Sequence, residues 1–192
     1  RLNTDPFVFG DTFYYTCCHK EQLSGLSKGN ILLFGSVKKK PCTKFLLDTV
    51  FVVDNTDVRV NDDFIKNNRI FYETVVAPTE DYEAGGCIKA QKVSFVISGA
   101  MYNNGSRPFS FVPFKKESEG KYYERLEFTK DNPLPNCKMC FNSQGFGYVR
   151  LDTGNDKIEF WNYLKNYCEK QGFCLGVNIG LPAQVQNNIL SL

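Results

Sequence analysis

The run FLLDTVFVV, Phe45 to Val53, decides the fold. It is dominated by β-branched and aromatic side chains between polar loops, so it reads as the strongest strand in the chain. The run ILLFGS, Ile31 to Ser36, follows a Gly29-Asn30 turn signal and stops before the basic, proline-containing VKKKPC. It predicts a second strand, and the two are expected to form a hairpin. Asp48 is the odd residue in the first run. A buried carboxylate needs hydrogen-bond partners, so Asp48 is either tied to backbone amides or set in a pocket wall to contact a ligand. The alternative is that Asp48 and Thr49 face a solvated sheet edge.

Outward from this hairpin, RIFYETVVA (69–77), CIKAQKVSFVIS (87–98), RPFSFVPFK (107–115) and KYYERLEF (121–128) read as further strands. The last shows alternation, with Tyr122, Glu124 and Leu126 on one face and Tyr123, Arg125 and Glu127 on the other. NDDFIKNN predicts a brief helix capped by Asn61 or Asp62. DKIEFWNYLKNYCEKQ, Asp156 to Gln171, places Ile158, Trp161, Leu164 and Cys168 at helical spacing, with Asn155 or Asp156 as cap and Gly172 as stop. LPAQVQNNILSL is expected as a last helix, because Pro182 is tolerated in a first turn. Short strands joined by Gly, Pro and Asn turns predict an α+β fold: a curved antiparallel sheet or barrel with flanking helices. The expectation is a single domain over 1–192, with a helical segment from about 156.

Hydrophobic residues at 42% and charged residues at 23% are those of a chain that folds on its own. The 17 Phe and 10 Tyr favour strands and stacking surfaces. A net charge of +2 gives no global basic field, so nucleic acid would have to be met by a local patch. No apolar run approaches the ~20 residues that cross a bilayer, and no membrane association is expected. Eight cysteines admit disulfides, zinc or free thiols. With no charged region followed by an apolar one at the start, reduced thiols in the cytoplasm are expected. No Walker or dinucleotide glycine pattern is present, and no cofactor is expected.

The densest constellation is DPFVFGDTFYYTCCHK, Asp5 to Lys20. Cys17, Cys18 and His19 together with Cys137 and Cys140 of CKMC have zinc-like spacing, but a strong signature needs two such pairs, so free thiols are the expected state. On a strand Cys17 and His19 share a face, whereas Cys18 and His19 do not, which makes a cysteine nucleophile a minor reading. Asp5, Asp11 and Asp48 are the candidates for acid-base work. The front half reads differently. Phe9, Asp11 and Phe13 share one face of an extended segment and Tyr14 takes the other, beside Phe7 and Tyr15. Aromatic rings with one or two polar groups hold an extruded base by stacking on its faces and reading its edge. Lys38, Lys39 and Lys40, with Lys44, Lys115 and Lys116, could contact phosphate from two loops; a solvated loop and ordinary core are the alternatives.

The residues LSKGNILLFGSVKKKPCTKFLLDTVFVV resemble the hairpin of the PUA-like superfamily, which includes the EVE, ASCH and YTH domains; Asn30 stands where that group usually has Asp. DPFVFGDTFYY, GNILLFGS, LLDTVFVV and WNYLKNYCEKQGFCLGV are similar to the nucleotide modification associated domain families of phage and bacteria. The resemblance implies recognition or processing of modified bases, with Phe34, Gly35 and Ser36 approaching Asp11, Tyr14 and Tyr15. It also makes Trp161 a possible pocket wall, although its place in an amphipathic helix favours core. The leading expectation is therefore a domain that binds a modified nucleobase in DNA or RNA. Phe9, Tyr14, Tyr15 and Phe34 would line its pocket, Asp11, Ser36 and Asp48 would supply polar contacts, and Lys38 to Lys40 would meet phosphate. The rivals are an enzyme acting on a nucleotide or nucleic acid through Asp11, Asp48, Cys17 or His19, and a protein-interaction module.

Overall fold

The computed structural model describes residues 6–16, 25–37, 44–80, 93–103, 107–116, 123–129, 131–135, 151 and 153–181. The fold is α+β, with antiparallel strand pairing and helices. The chain divides into two compact units. The first takes described residues up to 28, from 53 to 101 and from 178 onward; the second takes 29 to 52 and 102 to 177. Of the chain's four passages between them, the one at residues 52–53 falls within a strand.

In the second unit, β2 (Ile31–Val37) pairs antiparallel with the front of β3 (Lys44–Arg59), as the apolar runs predicted. On residues 44 to 47, β3 also carries β7 (Leu126–Thr129). The front of β3 is interior: Leu47, between β2 and β7, and Val50, Phe51 and Val52, paired with β2, are buried, each stabilising the fold by roughly 1.5–3 kcal/mol. A smaller sheet consists of β5 (Val112–Lys116) between β6 (Tyr123–Glu124) and β8 (Cys174–Gly176). Among the described residues the strands do not close into a barrel.

KYYERLEF is not the one strand that its alternation predicted. It breaks at Arg125, so that β6 joins β5 and β7 joins β3. Beyond the break alternation holds, with Leu126 and Phe128 buried and Glu127 exposed.

The late helix, α4 (Gly154–Lys170), starts two residues earlier than expected. Its cap is Thr153, whose hydroxyl accepts from the Asp156 amide while Asp156 accepts from the Thr153 amide, a reciprocal capping box. Asp156 is thus the third residue of the helix and not the cap. Trp161, Leu164 and Cys168 are buried as their spacing predicted, but Ile158 is exposed. Trp161 donates its indole N–H to the Phe109 carbonyl at 2.9 Å, which makes it core in place of a pocket wall. The helix ends as predicted at Gly172, whose φ of 77° a residue with a Cβ rarely adopts.

In the first unit, β4 (Phe95–Gly99) lies between β1 (Tyr14–Tyr15) and the rear of β3. α1 (Asp62–Asn67) follows β3, capped by Asn61 as predicted. RIFYETVVA then overturns the strand expectation. It forms α2 (Arg69–Phe71), a π-helical stretch Tyr72–Val76 and α3 (Ala77–Glu80). Burial overrides the β-propensity of its valines, because Phe64, Phe71, Val75 and Val76 recur at helical spacing and share one core with Phe7 and Val96. Thr74 turns its hydroxyl onto the Ile70 carbonyl at 2.7 Å, and Arg69 pairs with Glu73 one turn on.

The expected final helix, except for Leu181, lies outside the described residues, as do Cys17, Cys18, His19, Cys137, Cys140 and Lys38 to Lys40.

Candidate functional site

The sequence-predicted positions fall into two groups, one in each unit. Phe9, Asp11, Tyr14 and Tyr15 belong to the first, and Phe34, Gly35, Ser36 and Asp48 to the second.

The first group is a hairpin, not an extended segment. Phe7 and Tyr14 exchange backbone hydrogen bonds at 2.9 and 3.0 Å around a turn in which Gly10 has φ 82°. The turn folds the aromatics inward. Phe7 meets Phe9 and Phe71 edge-on, while Tyr14 stacks on Phe71 with centroids 4.8 Å apart and meets Phe64 edge-on. Such ring pairs contribute about 0.5–1.5 kcal/mol each beyond their buried area. Tyr15 and Phe13 are buried outright. The stacking wall read from the sequence is thus largely interior: one face of Tyr14 is taken by Phe71, and Tyr15 presents no open face. Asp11 stays exposed at the turn, where the Thr12 hydroxyl donates to it at 3.5 Å. Burial, and after it the Asp11 charge, raises the Tyr14 phenol above its ordinary value, against a lowering hydrogen bond from Thr12.

The second group assembles around an irregularity in the β2–β3 ladder. Phe34 pairs with Thr49 and Gly35 with Leu47, which leaves Asp48 as an extra residue without a partner on β2. Such a bulge bends the strand and re-aims a side chain. Here it turns Asp48 to solvent from the middle of an apolar run; the side chain is 47% exposed. This corrects the interior reading of the carboxylate; the solvent-facing alternative holds for Asp48 but not for Thr49, which is buried. Arg125, at the break between β6 and β7, donates from Nη2 to Asp48 Oδ2 at 2.5 Å and to the Leu46 carbonyl at 3.3 Å. Its Nε is buried without a hydrogen-bond partner. Gly35 is held by packing: a Cβ there would lie 2.2 Å from the Leu46 carbonyl oxygen and 2.7 Å from the Phe45 ring. Phe34 is half-buried and edge-on to Phe51, and Ser36 is exposed.

Two of the expected phosphate-facing lysines are engaged by acids. Lys44 pairs with Glu127 at 2.7 Å; Lys115 pairs with Glu124 at 3.2 Å and lies over the Phe173 ring. Among the described residues no three His, Cys, Asp or Glu side chains gather as metal ligands, and no helix is long and apolar enough to cross a membrane. Cys168 and Cys174 are free thiols, the former buried.

Arg125 is the site residue that sequence reasoning missed. Its signal was indirect: a carboxylate in an apolar strand calls for a cation, and Arg125 interrupts the alternation of its own segment. No protein-family model, curated protein or solved structure matches the chain.

Proposed function

We propose that this chain binds a modified nucleobase in DNA or RNA, in nucleic-acid modification or defence, and that its sheet is of the PUA-like kind. The observation that supports the reading is the Asp48–Arg125 pair at the bulge, half exposed and flanked along β2 by Phe34, Gly35 and Ser36. Arginine donates in a planar fork and carboxylate accepts, the complement that base edges require. Phe34 would give the base an apolar surface, Ser36 a further polar contact and Lys38 to Lys40 a hold on phosphate. A reducing cytoplasm belongs to the same proposal, since an exposed free thiol at Cys174 is kept reduced there.

The test is fluorescence anisotropy with modified and unmodified oligonucleotides against the wild type and Arg125→Gln. A lost contact to a base edge weakens binding by about 1–3 kcal/mol. Equal affinity of the two proteins, or no binding by the wild type, defeats the proposal.

A further inference from the structure

We infer that Asp48 makes the Arg125 site selective for an uncharged ring edge carrying an amino donor beside an acceptor, as in cytosine or adenine, and against bare phosphate. This rests on the reading above and names the substrate class of the same site.

An arginine standing alone at a surface takes phosphate or carboxylate, because its fork matches two anionic oxygens. Arg125 does not stand alone. Asp48 Oδ2 already engages Nη2, and the Leu46 carbonyl accepts a second bond from the same nitrogen. The pair is neutral as a unit, so a polyanion gains little from it and meets the Asp48 charge on approach. Nor does the bulge let Asp48 withdraw: Leu47 and Thr49 on either side are buried and hold the backbone on which Asp48 is carried.

What the pair offers is an acceptor and a donor side by side. A carboxylate has about four acceptor positions and a guanidinium five donors, so neither is exhausted by the bond between them. Both side chains keep solvent exposure, 37% for Arg125 and 47% for Asp48. A ligand edge with an N–H next to a ring nitrogen meets this arrangement donor to Asp48 and acceptor to Arg125. An amine bearing one substituent keeps the needed N–H; an amine bearing two has lost it and would leave the carboxylate unmatched.

Calorimetric titration of the full chain with cytidine, adenosine, their exocyclic N,N-dimethyl forms and inorganic phosphate tests this. The wild type is expected to bind an amino nucleoside about tenfold or more tighter than its dimethyl form, the equivalent of one good hydrogen bond to a charged group, with phosphate a poor competitor. In Asp48→Ala and Asp48→Asn, with near-ultraviolet circular dichroism confirming the fold, discrimination falls toward unity in the former and phosphate begins to compete in both. Equal binding of the dimethyl form by the wild type overturns the inference. So does displacement by phosphate, or discrimination that survives Asp48→Ala. Oligonucleotide binding that needs Arg125 but ignores Asp48 would remove this inference alone, whereas no nucleoside or oligonucleotide binding at all would remove the proposed function with it.

Discussion

Gly35→Ala is the sharpest probe of the bulge. A Cβ at this position would sit 2.2 Å from the Leu46 carbonyl oxygen and 2.7 Å from two carbons of the Phe45 ring, so about 1 Å must open on the backbone side. Neither neighbour yields freely. Phe45 is 4% exposed and stacks on Phe128, and the Leu46 carbonyl accepts from Arg125. Overpacked sites cost about 1–3 kcal/mol, and displacement of a paired carbonyl argues for the upper end. Against this, alanine restricts the unfolded chain and returns about 0.4–1 kcal/mol. A net loss of about 2 kcal/mol follows from these two figures. Urea unfolding followed by Trp161 fluorescence reads it directly, since this is the chain's single tryptophan and lies in the same unit as Gly35. Adding Phe45→Leu should recover only part of the loss, because the carbonyl clash remains and the two sites are coupled. A single variant within about 0.5 kcal/mol of the wild type, the level of ordinary surface substitutions, would refute the packing account of Gly35.

Two further outcomes concern titrating groups. The Tyr14 phenol is raised above 10.0 in the fold, first by burial and then by Asp11, so folding favours its neutral form. The associated stability is present below pH 10 and is lost as pH rises through the folded value. Tyr14→Phe should therefore flatten the alkaline decline in unfolding midpoint, and parallel declines in the two proteins would show that Tyr14 carries no part of it. Burial pushes the Cys168 thiol up to about 12. At pH 8 roughly one molecule in ten thousand then carries the thiolate, so iodoacetamide should modify exposed Cys174 at least a hundredfold faster. Peptide mapping resolves the two sites, and comparable rates in the native protein would contradict the burial of Cys168.

The elements legible in the sequence were those in which local preference and burial agree. Lys44–Arg59 is a strand because its β-branched and aromatic residues also fill an interior position between neighbours, and Ile31–Val37 pairs along it as the apolar run predicted. Asp62–Asn67 and Gly154–Lys170 are helices because caps and apolar spacing point the same way. RIFYETVVA failed for a definite reason. Its composition favours a strand, but Phe71, Val75 and Val76 extend the stripe begun by Phe64, and a stripe running from Phe64 to Val76 is read only when the preceding helix is included in the window. KYYERLEF failed because alternation does not reveal that a strand changes partner midway.

The candidate site was legible only as an anomaly. A lone carboxylate in FLLDTVFVV announces that something must accommodate it, but not whether the solution is a buried hydrogen-bond network or a change of direction. The structure takes the second course: one extra residue in β3 turns Asp48 outward, and the break before β7 supplies Arg125. Both events are irregularities of strand pairing, and the ion pair they produce joins residues 77 positions apart in the chain. The aromatic hairpin failed for the converse reason. Phe7, Phe9 and Tyr14 look like a stacking wall while the segment is taken as extended, but Gly10 at positive φ folds it back and Phe71 closes over Tyr14. Ring density in a sequence therefore marks where apolar surface gathers. Whether it becomes core or binding surface is decided by the backbone turn beside it, and at Asp48 and Gly10 alike the deciding feature is a local irregularity.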